Sequence, residues 1–204
     1  MYELLVLSLL MKFPLHAYLI SKISNDTIGP WEKVSRGTLS TLLNKLEKAG
    51  LIQDSDPATV PFPTDRPSRT FEITNKGKSR FFELMLDTKK NLGNYQKIFH
   101  IKAIYFEFLN EEDQLYLVHH YIKHCQTAID HIKAQQLEFD ENPEQVKSMQ
   151  GTSFYTTIES LMHLNAEQWN LERQWAINFK EQIMMSIKND KRKEHSNDTK
   201  MESR

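Results

Sequence analysis

Apolar positions along the chain change period several times, and each change marks an element. Residues 2–11 are apolar almost without interruption, with Leu4, Leu5, Val6, Leu7, Leu9 and Leu10. The run is far shorter than the roughly 20 residues that span a bilayer, so it predicts a buried first helix. Pro14 to Ile23 begins with proline at a first-turn position and places Leu19, Ile20 and Ile23 on one face, predicting a second helix that Asn25 to Pro30 breaks. Leu39, Leu42, Leu43 and Leu46 then fall at i, i+3, i+4 and i+7, the stripe of an amphipathic helix. Ser35 suits its N-cap, and Gly50 sits where a left-handed end favours a residue without a Cβ. The opposite face carries Arg36, Thr38, Ser40, Thr41, Asn44, Lys45 and Lys48, with Glu47 as its one acid. An ordinary solvated face would look similar. A groove-entering helix needs this mixture, cations for phosphate and compact donors and acceptors for base edges.

After Gly50 the period shortens. Leu51 and Ile52 can supply one strand, and Arg69-Thr70-Phe71-Glu72-Ile73 alternates like a second strand with one buried face. Between them lie Pro57, Pro61, Pro63 and Pro67, which leave the connection few backbone donors, together with the cations Arg66 and Arg69. A helix followed by a two-stranded hairpin with a stiff, partly basic tip is the element order of a winged helix-turn-helix.

Downstream the pattern is helical. Thr74 can cap a helix carrying Phe81, Phe82, Met85 and Leu92, and the polar stretch Asp87 to Lys97 reads as an inter-domain seam. Ile98 to Leu109 is apolar and aromatic. Asn110 caps a long helix whose first turn is Glu111-Glu112-Asp113, acids placed where the helix dipole favours them. In it Leu115, Val118, Ile122, Cys125, Ile129 and Ile132 recur at spacings of three and four, a heptad seam that packs against another helix of this chain or of a second copy. A further helix, Phe154 to about Lys188, carries Ile158, Leu161, Met162, Trp169, Trp175, Phe179 and Ile183. The expected fold is mainly α: a winged helix-turn-helix with a two-stranded β wing over 1–90, a helical dimerisation domain over 91–188, and a disordered charged tail over 189–204.

Charge sharpens this division. The chain of 204 residues has a net charge of −1. Residues 1–86 hold eleven Lys or Arg against nine Asp or Glu, residues 87–188 ten against fourteen, and the last sixteen five against four. A first part at only +2 implies a local basic strip rather than a basic surface, and DNA binding that needs both halves of a dimer. With Cys125 as the single cysteine no intrachain disulfide can form, and with no signal or membrane span the expected location is the cytoplasm.

Three pieces of the first 85 residues resemble the PadR family of bacterial transcriptional regulators. They are Pro14-Leu15-His16-Ala17-Tyr18, where the family commonly has Leu-His-Gly-Tyr; Ser35-Arg36-Gly37-Thr38-Leu39 followed by Leu43, Leu46, Glu47, Gly50, Leu51 and Ile52; and Arg69 to Gly77. The chain departs from the family at Ser40, where tyrosine is usual, at Thr41, where proline is common, and at Ala17, which replaces glycine. The resemblance implies a repressor that binds double-stranded operator DNA as a homodimer and is released by a small, often aromatic, effector. Arg36, Thr38, Ser40, Thr41 and Lys45 are the candidates for the groove, with Arg66 and Arg69 on the wing. His16 and Tyr18 either touch phosphate or pack in the core. Leu115, Val118, Ile122, Cys125, Ile129 and Ile132 are the candidates for the dimer seam.

Other chemistries find less support. His120, His124 and His131 share a face of the long helix, yet no Cys or nearby carboxylate completes a ligand set, so no metal or cofactor is expected. The six glycines never cluster into a phosphate-cradling loop, and no nucleophile-elbow, paired-carboxylate or metal-hydrolase motif appears, so no catalytic residue is assigned. A winged-helix module that binds another protein, or a motif-poor helical enzyme, are the alternatives. The aromatics of Ile98 to Leu109, with Trp169 and Trp175, either form core or line an effector pocket.

Overall fold

The computed structural model describes residues 1–29, 32–61, 68–141 and 151–201, and it divides into two compact units, Met1–Phe108 and Leu109–Arg204. The first unit runs α1 (Tyr2–Lys12), β1 (Leu15–His16), α2 (Ala17–Ile28), α3 (Arg36–Lys48), β2 (Ile52–Asp54), β3 (Thr70–Ile73), α4 (Asn75–Leu86) and α5 (Tyr95–Ile104). α1 is its central post. Every residue from Leu4 to Leu10 is buried, and the helix packs on α2, β3 and α4. Each buried leucine there contributes about 1.5–3 kcal/mol.

The sheet has three strands where two were expected. β3 lies in the middle, antiparallel to β2 (Ile52 opposite Ile73, Asp54 opposite Phe71) and to β1 (Leu15 opposite Phe71, His16 opposite Thr70). Pro14 therefore precedes an edge strand instead of opening a helix, which begins at Ala17. α2 also continues through Asn25 to Ile28, and Gly29 at φ +98° ends it.

The first unit extends past the boundary expected at residue 90 because the aromatic segment folds back on it. Phe108 meets Phe81 edge-on at 5.9 Å, Phe99 meets Phe106 at 6.0 Å, and the buried Lys102 donates to the Asp87 backbone carbonyl at 2.6 Å. Burial pulls the Lys102 ammonium down to about 8. These aromatics are core of the first unit.

The second unit is a helical hairpin of α6 (Glu111–Glu141) and α7 (Ser153–Met201). Asn110 caps α6, its side chain accepting from the Asp113 amide at 2.8 Å. The helices run antiparallel: the Tyr121 hydroxyl donates to Glu172 at 2.6 Å, and His124 packs edge-on against Trp169. Val118, Cys125, Ile129 and Ile132 are buried within the single chain, as are Leu117 and Tyr121, whereas Leu115 and Ile122 are half-buried. The seam, which the sequence leaves to pack within one chain or between two, is thus the inner face of one hairpin, rotated toward Leu117 and Tyr121, whose hydroxyl meets the half-buried Glu172. Burial raises the Cys125 thiol to about 12. α7 continues through Met201 where a disordered tail was expected from 189. After Gly151 the chain has neither Gly nor Pro, and Lys, Arg and Glu favour helix.

Candidate nucleic-acid interface

α3 is fixed at both ends before its outer face is considered. The Ser35 hydroxyl accepts from the Thr38 amide at 3.1 Å, an N-cap worth about 1 kcal/mol. Immediately before Ser35, the Val34 amide donates to the Asn25 side chain at 2.7 Å and the Val34 carbonyl accepts from it at 3.3 Å, latching the α2–α3 loop. At the far end Gly50 adopts φ +70°, its amide donates to Glu47 at 2.8 Å, and the Leu51 amide donates to Leu46 at 2.9 Å. This is a Schellman closure, and Leu46 and Leu51 are both buried beside it. Thr74, the N-cap of α4, donates to the Gly50 carbonyl at 2.7 Å while its hydroxyl accepts from the Gly77 amide at 3.0 Å. The end of α3 and the start of α4 are one knot.

Fixing α3 this way buries Leu39, Leu43 and Leu46 and turns the polar face outward. Arg36, Thr38, Ser40, Thr41, Asn44, Lys45 and Lys48 are all exposed. Helical geometry puts Gly37, Thr41, Asn44 and Lys48 along the middle of that arc, with Ser40 and Lys45 flanking it and Arg36 at its edge. Thr38 is committed to the cap, its hydroxyl 2.9 Å from that of Ser35. The side chains of Arg36, Ser40, Thr41, Asn44, Lys45 and Lys48 make no hydrogen bond or ion pair with other described residues.

Beside α3 opens a cleft of about 720 Å³, bordered by Tyr18, Lys22, Lys33, Arg36, Ser40 and Asn44. Tyr18 is 42% exposed there. Lys22 and Lys33 come from α2 and from the loop before Ser35, and the fold sets both beside Arg36. Neither was marked in the sequence, because their proximity is created by the Asn25 latch and not by spacing along the chain. Asn44 and Lys48 belonged to the recognised polar face, but their central position follows only from where the core lies.

Two expected contacts are placed otherwise. His16 is 5% exposed, and its Nδ1 shares a 3.0 Å hydrogen bond with the Thr70 hydroxyl opposite it in the sheet. It therefore packs in the core, away from the outer face. Arg69 is engaged at the wing base: its guanidinium donates to Glu47 of α3 at 2.6 Å and to Asp54 of β2 at 2.7 Å, and lies 4.8 Å from the centre of the Phe71 ring. Its hydrogen bonds to Glu47, then to Asp54, raise its pKa further. Arg69 braces the wing against α3 and neutralises an acid of the outer face. Arg66 lies outside the described residues. Replacing Arg69 with alanine is expected to weaken DNA binding while leaving the slope of log affinity against log salt unchanged. A slope reduced by about 1 per protomer would make it a phosphate contact instead.

The profile of the transcriptional regulator PadR-like family matches residues 6–83, which hold α2, α3, the three strands and most of α4. No curated protein matches the chain. Similar solved structures include Bacillus subtilis PadR in complex with operator DNA, at 16% identity and TM-score 0.38, covering 89% of this chain and 96% of that one. The same protein in complex with p-coumaric acid gives 16% identity and TM-score 0.37, over 89% and 97%. The Vibrio cholerae virulence activator AphA gives 15% and 0.35, over 91% and 99%. Over residues 6–83, this chain is similar to the transcriptional regulator PadR-like family.

Proposed function

We propose that the chain is a cytoplasmic repressor that binds an imperfect palindrome in double-stranded DNA as a homodimer. The observation that carries the reading is the outer face of α3: six polar or cationic side chains without a hydrogen-bond or ion-pair partner among the described residues, on a helix anchored at both ends and along its inner face. Arg36, Ser40, Thr41 and Lys45 enter the major groove, and Lys22, Lys33 and Tyr18 follow the phosphates beside it.

A weakly charged reader gains affinity by pairing. Since the α6 stripe is consumed inside the chain, the dimer surface is assigned to α7, where Phe154, Leu161, Leu164, Leu171, Trp175 and Met185 stand exposed. Phe154, Leu161 and Trp175 share one heptad position, and Leu164, Leu171 and Met185 share the position three residues on. A two-fold pairing through such a face presents two α3 helices to major-groove faces about 34 Å apart. A small aromatic effector, expected from the family resemblance, would release DNA by binding two dimer conformations with different affinity.

Replacing Arg36 and Lys45 together with alanine tests the face. Operator affinity is expected to fall, with the salt slope reduced by roughly 2–4 for a dimer. Unchanged affinity and slope would remove α3 from the interface.

A further inference from the structure

We infer that Asn44 reads an adenine in each half-site. The inference deepens the DNA-binding reading above and rests on it. Over the exposed arc before Asn44, between Arg36 at its edge and Lys48 beyond, the side chains are small: none at Gly37, hydroxyls at Ser40 and Thr41. A Cβ at Gly37 would meet nothing closer than the Ser35 hydroxyl at 3.8 Å, so the low profile there is not imposed by packing. Such a surface lets the helix axis approach the floor of a groove. From it Asn44 projects as the longest uncharged side chain, one turn beyond Ser40 and Thr41 and one turn before Lys48.

Its chemistry is directional. A carboxamide presents one acceptor and one donor side by side, the complement of adenine N6 and N7 on the major-groove edge. The cations of the same face, Arg36, Lys45 and Lys48, can hold the phosphates of the groove walls at any sequence and on base edges select guanine, not adenine, while the hydroxyls of Ser40 and Thr41 can either donate or accept and so discriminate weakly. Asn44 is also ready for the contact, being exposed and without a hydrogen-bond partner among the described residues. Binding DNA breaks no internal bond of this side chain. The departure of the chain from its family at Ser40 and Thr41 enlarges the room around Asn44, since both positions hold short side chains where tyrosine and proline are usual.

The test is selection of bound sequences from a random DNA pool by the full chain and by its Asn44→Ala variant, followed by affinities for the winning site and for sites with single adenines exchanged. An exposed mid-helix alanine keeps the fold, which a matching melting curve verifies. The wild-type pool is expected to fix one adenine per half-site. The variant should lose that preference alone, binding the exchanged and unexchanged sites equally, where the wild type separates them by roughly 10- to 100-fold. Identical motifs from both proteins would overturn the inference while leaving DNA binding intact. A uniform loss of affinity over all sequences would assign Asn44 to phosphate and overturn it too. No enrichment by the wild type would overturn the inference together with the reading beneath it.

Discussion

Gly77→Ala is expected to lower the melting temperature of the first unit by on the order of 10–20 °C, although alanine is the better helix former by about 1 kcal/mol. Propensity is outweighed by space. A Cβ built on Gly77 would stand 2.0 Å from the Leu51 carbonyl oxygen and 2.7 Å from Ile73 Cγ1. The carbonyl is backbone and already accepts from the Thr74 amide at 3.1 Å, so it cannot swing away without opening the knot between α3 and α4. The cost should be about 3 kcal/mol or more, at the upper end of overpacking effects. Gly37→Ala is the matched control, since a Cβ there meets only an ordinary 3.8 Å contact with the Ser35 hydroxyl and leaves the gain in propensity. Thermal unfolding followed by circular dichroism separates the two, and a Gly77→Ala chain as stable as the wild type would contradict the described close approach.

The second large effect is expected on α7. Leu171 is 74% exposed and Leu164 47% exposed, so changing both to glutamate costs the single chain little. Across a two-fold heptad interface, however, each acid would be buried against its symmetry mate. The double variant should sediment as a monomer and retain its helical content. Its operator affinity should fall by about 10²-fold or more, because the second half-site would no longer be engaged at high effective concentration. Sedimentation velocity and a binding titration on the same sample decide it. A dimer that survives both acids would place the interface elsewhere.

Much of the first unit could be read from residue order because its signals are local. The leucine spacing of α3, the Ser35 cap, the Gly50 end and the Thr74 cap are each complete within a few residues, and each is present. What escaped was long-range. A two-residue strand such as Leu15–His16 is too short to show a period, and only its pairing with Thr70 and Phe71 makes it a strand and buries His16. Arg69 looks like a free wing cation until the fold sets Glu47, from a helix twenty-two residues earlier, against it.

The second unit shows a different limit. Both α6 and α7 carry more apolar positions than one contact uses, so periodicity alone identifies stripes without saying which is turned inward. On α6 the sequence pattern marked Leu115 and Ile122, which are half-buried, and passed over Leu117 and Tyr121, which are fully buried beside Val118 and Cys125. On α7 the chain buries Ala176 and Ile183 and leaves Leu161, Leu164 and Leu171 exposed. The surface proposed for pairing is therefore what the hairpin leaves uncovered, a fact of packing that no spacing rule contains.

The central claim is that α3, presented twice by a dimer, reads DNA sequence. Sequencing the DNA retained by purified protein from a random double-stranded pool, at low and at physiological salt, tests it most directly. An imperfect palindrome with half-site centres about one helical turn, or a multiple of it, apart should be enriched. Failure to enrich any sequence, even at low salt, would contradict that claim.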